Sequence, residues 1–252
     1  MARGFQISSR RYISRGSAVV TGLPCTLACW FKSGNDSAGQ AVIGIGNSSD
    51  NNTYIQLHLS GHLAGQNPIR AYIKGGGDVA YATTTANYAL NTWQHACGVY
   101  INNSLRYAYL NGGNKGTDTG SNGTPTGLNT TTIGAVKGAT VTNFLDGDVA
   151  EAAIWNVALT DEEVAALAKG FSPLLIRPAN LKAYWPLIRR GASIDNIDLV
   201  GGYHLTDYNS PTTAPHCRIV RAAAPLVVPI EGAGPTTSIP VMMNHYRKLR
   251  TA

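Results

Sequence analysis

Charge is what this 252-residue chain has least of: Asp, Glu, Lys and Arg together make up 13% of it, about half of the roughly 25% usual in globular domains. Glutamate is confined to Glu151, Glu162, Glu163 and Glu231. That scarcity argues against helical bundles and coiled coils, which draw on Glu, Lys and Leu in quantity. No apolar run approaches the ~20 residues of a membrane span. The nearest, AAAPLVVPI at 222–230, is broken by Pro225 and Pro229, so no membrane insertion is expected. The four cysteines, Cys25, Cys29, Cys97 and Cys217, lack the spacing of zinc ligands. Cys25 and Cys29 bracket a strand pattern, too far apart to bridge, and buried free thiols suit synthesis in a reducing cytoplasm. The basic N-terminus, MARGFQISSRRYIS, is not followed by the apolar stretch of a secretory signal.

What is abundant is Gly, at 28 residues, together with Asn, Ser and Thr, a composition for short strands joined by many turns. The net charge of +6 is carried by the ends. Arg3, Arg10, Arg11 and Arg15 lie at one end, and Arg218, Arg221, Arg247, Lys248 and Arg250 at the other, leaving 16–217 slightly acidic. A nucleic-acid reader carries its basic side chains on the folded face that tracks phosphates. No specific nucleic-acid partner is therefore expected, and the basic ends read as solvated termini or as ends docked on a partner.

Residues 54–60, YIQLHLS, alternate cleanly, with Ile55, Leu57 and Leu59 inward and Tyr54, Gln56, His58 and Ser60 outward. The segments 26–32, 92–102 and 104–110 read as strands too, the last running into the hairpin signal Asn111-Gly112-Gly113. Further strands are predicted at 40–46, 70–74, 78–84, 130–135, 148–155 and 181–187. Ten or so short strands describe an all-β, two-sheet antiparallel β-sandwich or jelly roll. Thr160-Asp161-Glu162-Glu163 is a capping box that opens one short connecting helix, with Val164, Leu167 and Ala168 as its apolar stripe and Gly170 as its stop. From Arg218 onward the chain is rich in proline and apolar residues without periodicity, which predicts an extended arm. The expected organisation is a sandwich over 1–217 and a C-terminal arm over 218–252.

At 144–168, FLDGDVAEAAIWNVALTDEEVAALA, the chain resembles the concanavalin A-like/laminin G-like jelly-roll superfamily. Phe144, Gly147, Val149, Glu151, Ile154, Trp155, Asn156, Ala158, Leu159, Thr160, Glu162, Glu163 and Val164 fill its motif. TLACWFK, TWQHACGVYIN with YLNGG, and NTTTIGA resemble three further family segments in the family's order. Ala150 stands where relatives often carry the first acid of a pair. The element YWPL…DLVGGYHLT, at Tyr184–Leu187 and Asp198–Thr206, resembles a family element that comes late here and early in many relatives. Circular permutation of one sandwich accounts for this, with 181–187 pairing beside the N-terminal strands.

Catalysis has little to work with. Sandwich glycoside hydrolases carry a run resembling E-x-D-x-x-E, and glycoside hydrolysis needs a pair of carboxylates; Glu151 has no acid two residues away on either side. No catalytic, metal or cofactor residue is assigned. Asp146 and Asp148 flank Gly147 as turn formers, although two such carboxylates would also suit a calcium loop. His58 and His62 lack metal geometry on a strand, and His95 reads as a core histidine. The tryptophans Trp30, Trp93, Trp155 and Trp185 fit core positions, and the outward tyrosines Tyr54, Tyr100, Tyr107 and Tyr109 are candidates for glycan contact.

Because similar single-domain laminin G-like chains occur among bacteriophage structural proteins, the resemblance implies a non-enzymatic virion structural protein, a phage capsid decoration or a tail or fibre component. It would be made in the host cytoplasm and located in the virion. The arm residues Val227, Val228, Ile230, Ile239, Val241, Met242, Tyr246 and Arg247 would grip other virion proteins or further copies of the chain, and the body would add weak glycan adhesion. The alternative is a carbohydrate-binding module of a bacterial polysaccharide-active system.

Overall fold

The computed structural model describes residues 2–61, 66–190, 193–194, 196–217 and 219. In chain order the first strands are β1 (Ala2–Phe5), β2 (Tyr12–Arg15), β3 (Cys25–Ser33), β4 (Gly39–Gly46), β5 (Tyr54–Ser60), β6 (Pro68–Gly75) and β7 (Asp78–Asn87). Then follow β8 (Gln94–Asn102), β9 (Leu105–Leu110), β10 (Gly113–Asp118), β11 (Thr130–Ile133), β12 (Val136–Lys137), β13 (Val141–Thr142) and β14 (Gly147–Trp155). After the helix α1 (Asp161–Ala168) come β15 (Leu181–Trp185), β16 (Arg189–Arg190), β17 (Ser193–Ile194), β18 (Thr206–Tyr208) and β19 (Thr212–Ala214). Two antiparallel sheets face each other. The first has the order β10-β9-β8-β3-β14-β1-β19, with β15 also on β14; the second has the order β18-β2-β11-β4-β5-β6-β7. Among the described residues the architecture is the all-β sandwich that the strand pattern predicts, with the one short α-helix that the capping box predicts.

Alternation builds the core. Leu27 and Phe31 of β3 and Val149 and Ile154 of β14 meet Ile43 and Ile45 of β4 and Ile55, Leu57 and Leu59 of β5, all of them fully buried. Each such side chain contributes about 1.5–3 kcal/mol relative to exposure. The first sheet is buried on its outer face as well. Val164 and Leu167 of α1 cover Ala28, Cys97, Val99, Tyr109 and Trp155. All four cysteines are free and buried.

One flank of β14 is shared by two strands. Gly147–Val149 pair with β1, and Ala152–Trp155 pair with β15. The changeover falls on a bulge in which Glu151 takes φ +52°, while on the other flank the register against β3 slips between Ala150 and Ala153. The segment 181–185 therefore lies in the same sheet as the N-terminal strand β1. Asp198 ties the next loop to β15: its carboxylate accepts from the backbone N–H groups of Tyr184, Val200, Gly201 and Tyr203 at 2.8–3.0 Å. The chain then closes both sheets, β18 pairing with β2 and β19 with β1. Arg3 of β1, itself buried, pairs with Asp207 of β18 and links the two sheets at this edge.

Candidate functional site

The outer face of β5, β6 and β7 is built from one residue in two, and the strand register sets them in rows. Gln56, Tyr72 and Tyr81 are directly opposite one another; beside them stand Tyr54, Lys74 and Val79, and on the other side His58, Arg70 and Thr83. Three tyrosines from three strands consequently line up. The Tyr54 and Tyr72 rings lie 5.8 Å apart at 15°, and Tyr72 and Tyr81 lie 5.7 Å apart at 14°. The His58 ring is 5.8 Å from Tyr72, and the Arg70 guanidinium sits 4.0 Å from the Tyr81 ring centroid. Lys74 Nζ is 5.9 Å from the Tyr54 ring.

Tyr54, Gln56, His58, Arg70, Tyr72 and Tyr81, with Gly39 and Asn143, line a groove of about 480 Å³, a volume within the range of small-ligand sites. Its floor is polar yet shielded. Gln56 is 1% and His58 5% exposed, although both point away from the sandwich core. His58 Nδ1 is 3.0 Å from Ser60 Oγ, and Asn143 Nδ2 is 3.5 Å from Gln56 Oε1. Beside this floor the β12–β13 hairpin lies over β4. A Cβ on Gly46 would stand 2.0 Å from the Lys137 carbonyl oxygen, and one on Gly44 would stand 3.0 Å from that of Ala135. Glycine at both positions lets this strap come down onto the sheet. Burial, followed by the neighbouring Tyr72, pushes the Tyr54 phenol well above its ordinary pKa, so it stays a neutral donor.

Of the four tyrosines singled out from sequence, Tyr54 lies in this groove, and the other three belong to the first sheet. Tyr100 points inward, contrary to the expectation, and its hydroxyl donates to the Gln56 carbonyl at 2.6 Å. Tyr109 is 1% exposed beneath α1 and donates to Asp161 at 2.7 Å. The reason is common to both: the middle of the first sheet is buried on both faces, so alternation does not separate wet from dry there. Tyr107 is partly exposed, with Lys115 Nζ 3.8 Å from its ring centroid. Tyr72, Tyr81 and Arg70 were missed. Their i, i+2 spacing on 70–74 and 78–84 marks them as facing one way, but only the register brings them to Tyr54. The arm residues Val227, Val228, Ile230, Ile239, Val241, Met242, Tyr246 and Arg247 lie outside the described residues.

A second polar cluster lies on the outer face of the first sheet. Glu151, buried at the bulge, accepts a hydrogen bond from the Tyr184 hydroxyl and faces His216 Nε2 at 3.2 Å. Burial pulls the His216 pKa down, but hydrogen bonds to Cys217 and Glu151 outweigh it and set it at about 10. His95, edge-on to Trp30 at 5.7 Å, is held neutral by burial, its pKa lowered to about 3. Asp148 pairs with Lys32 at 2.7 Å. Among the described residues no three His, Cys, Asp or Glu side chains gather as metal ligands would, and no helix is long and apolar enough to cross a membrane.

The family model for the concanavalin A-like lectin/glucanases superfamily, Laminin_G_3, matches residues 8–165. The chain belongs to this family. No curated protein matches it. Among solved structures it is similar to a "putative carbohydrate binding protein" of Bacteroides ovatus, with 18% identity, a TM-score of 0.54, and 86% of this chain and 61% of that one covered. It is also similar to the CBM40 of the Ruminococcus gnavus IT-sialidase, solved with α2,3-sialyllactose (14%, TM-score 0.51, covering 62% and 93%). A third likeness is to tailspike protein 2 of bacteriophage CBA120 (15%, TM-score 0.52, covering 69% and 28%). At such identities these likenesses speak for the Laminin_G_3 fold alone.

Proposed function

We propose that the sandwich is a non-enzymatic carbohydrate-binding body whose ligand lies along the tyrosine groove of β5–β7. The observation that carries this reading is the lining of the groove: aligned phenol rings beside Gln56, His58, Arg70 and Asn143, with no carboxylate among them. Ring edges and faces offer apolar surface to sugar C–H groups, while the amides, phenols and guanidinium match hydroxyls. Glycoside hydrolysis would require two carboxylates facing the bond, and the described lining residues supply neither. The likenesses to the Bacteroides protein and to the sialyllactose-bound CBM40 support the reading.

Two settings suit such a body. As a virion component it would be anchored through the apolar, proline-rich arm at 218–252, a setting supported by the tailspike likeness and by the arm's composition. As a module of a bacterial polysaccharide-active system it would work without that anchor. Glycan-array binding of the full chain tests the groove under either setting. Tyr72→Thr, which keeps strand propensity, is expected to weaken binding about tenfold or more with its melting temperature unchanged. Undiminished binding by that variant would remove the groove from the function.

A further inference from the structure

We infer that the groove selects an acidic sugar, one bearing a carboxylate or sulfate, through Arg70. The inference rests on the reading of the groove as a glycan site and narrows its ligand class. Elsewhere in the body, Arg3 and Arg106 are buried arginines that each pair with an aspartate, Asp207 and Asp118. Arg70 differs in that among the described residues no carboxylate pairs with it; its Nε, like those of Arg3 and Arg106, is buried without a hydrogen-bond partner.

Lys74, paired across from the groove residue Tyr54 but outside the lining, gives its ammonium to the Asn51 carbonyl at 3.3 Å and also has no acidic partner among the described residues. Arg70 thus lines, and Lys74 stands beside, a cleft in which no described lining residue is acidic. A guanidinium held against an aromatic ring keeps its planar fork in one orientation, suited to the two oxygens of a carboxylate or sulfate. Shielding by the groove walls strengthens such a contact over one in open water. Gln56 and Asn143 remain for the hydroxyls, which makes the ligand an acidic sugar rather than a bare anion.

The test titrates the full chain with a uronate oligosaccharide, a sulfated one and their neutral counterpart of equal length, at low and raised salt. The wild type is expected to bind at least one acidic oligomer about tenfold tighter than the neutral one, with the preference shrinking as salt rises. Arg70→Gln removes the preference and Arg70→Lys restores part of it, with melting curves confirming that both variants fold. Preference for only one of the two acidic oligomers supports the inference and identifies the anion. Equal affinity for acidic and neutral oligomers, with both lost in Tyr72→Thr, overturns acid selection and leaves the glycan site standing. No binding of any sugar overturns both.

Discussion

Two histidines with opposite perturbations set the pH response at the scale of single residues. His95 is neutral when folded because burial lowers its pKa from 6.5 to about 3. Below pH 6.5 the unfolded chain takes up a proton that the folded chain refuses, so this residue subtracts stability as pH falls from about 6.5 toward 3. The limiting slope is about 1.4 kcal/mol per pH unit. His216 works the other way: its pKa is raised from 6.5 to about 10, so its contribution is full below 6.5 and is lost as pH climbs through 10. Urea unfolding of His95→Gln between pH 4 and 7 is expected to show a shallower acid limb than the wild type. An unchanged slope would mean that His95 is not held neutral in the fold. Neither shift was legible in the sequence. His95 reads there as a core residue, and Glu151 reads as a motif position whose contacts with Tyr184 and His216 depend on a bulge and on a segment 65 residues away.

Among the elements, legibility followed pattern strength. Residues 54–60 alternate strictly and form a strand with those bounds, and Asn111-Gly112 makes the β9–β10 turn with φ values of +54° and +74°. The short strands β1, β2, β18 and β19 carry no periodicity of their own and exist only because an edge is available to pair with. The groove was half legible for the same reason: alternation showed which way Tyr54 faces, but cross-strand register is a long-range outcome that no local pattern states. The capping box was fully legible, being local. The Glu163 N–H donates to Thr160 Oγ1, Glu163 Oε2 accepts from the Thr160 N–H at 2.8 Å, and Arg177 holds the other carboxylate oxygen at 2.6 Å. Thr160→Ala is expected to cost about 1 kcal/mol in urea unfolding. Its effect should add poorly to that of Glu163→Ala, since the two share one cap; full additivity would contradict the reciprocal bond.

For the whole molecule, the decisive fact is how late the body is completed. β15 flanks β14, and β18 and β19 cover β2 and β1. A chain ending at 219 retains every one of these pairings, whereas one ending at 205 leaves β1 and β2 as open edges and removes Asp207 from the buried Arg3. The first truncation is expected to melt as cooperatively as the full chain, and the second to aggregate or fail to fold, as calorimetry and light scattering would show. Loss of incorporation into particles by a chain lacking 225–252 that still binds glycan would speak for the virion setting; unaffected behaviour would speak for the module.

Among the described residues the two broad sides of the sandwich are not equivalent: α1 is laid over the first sheet, whereas on the second the β12–β13 strap lies over β4 and the tyrosine groove lies on β5–β7. On this account a single copy offers one sugar-sized foothold. Firm attachment must then come from valency, many copies held in a fixed array so that each released contact is remade before its neighbours let go.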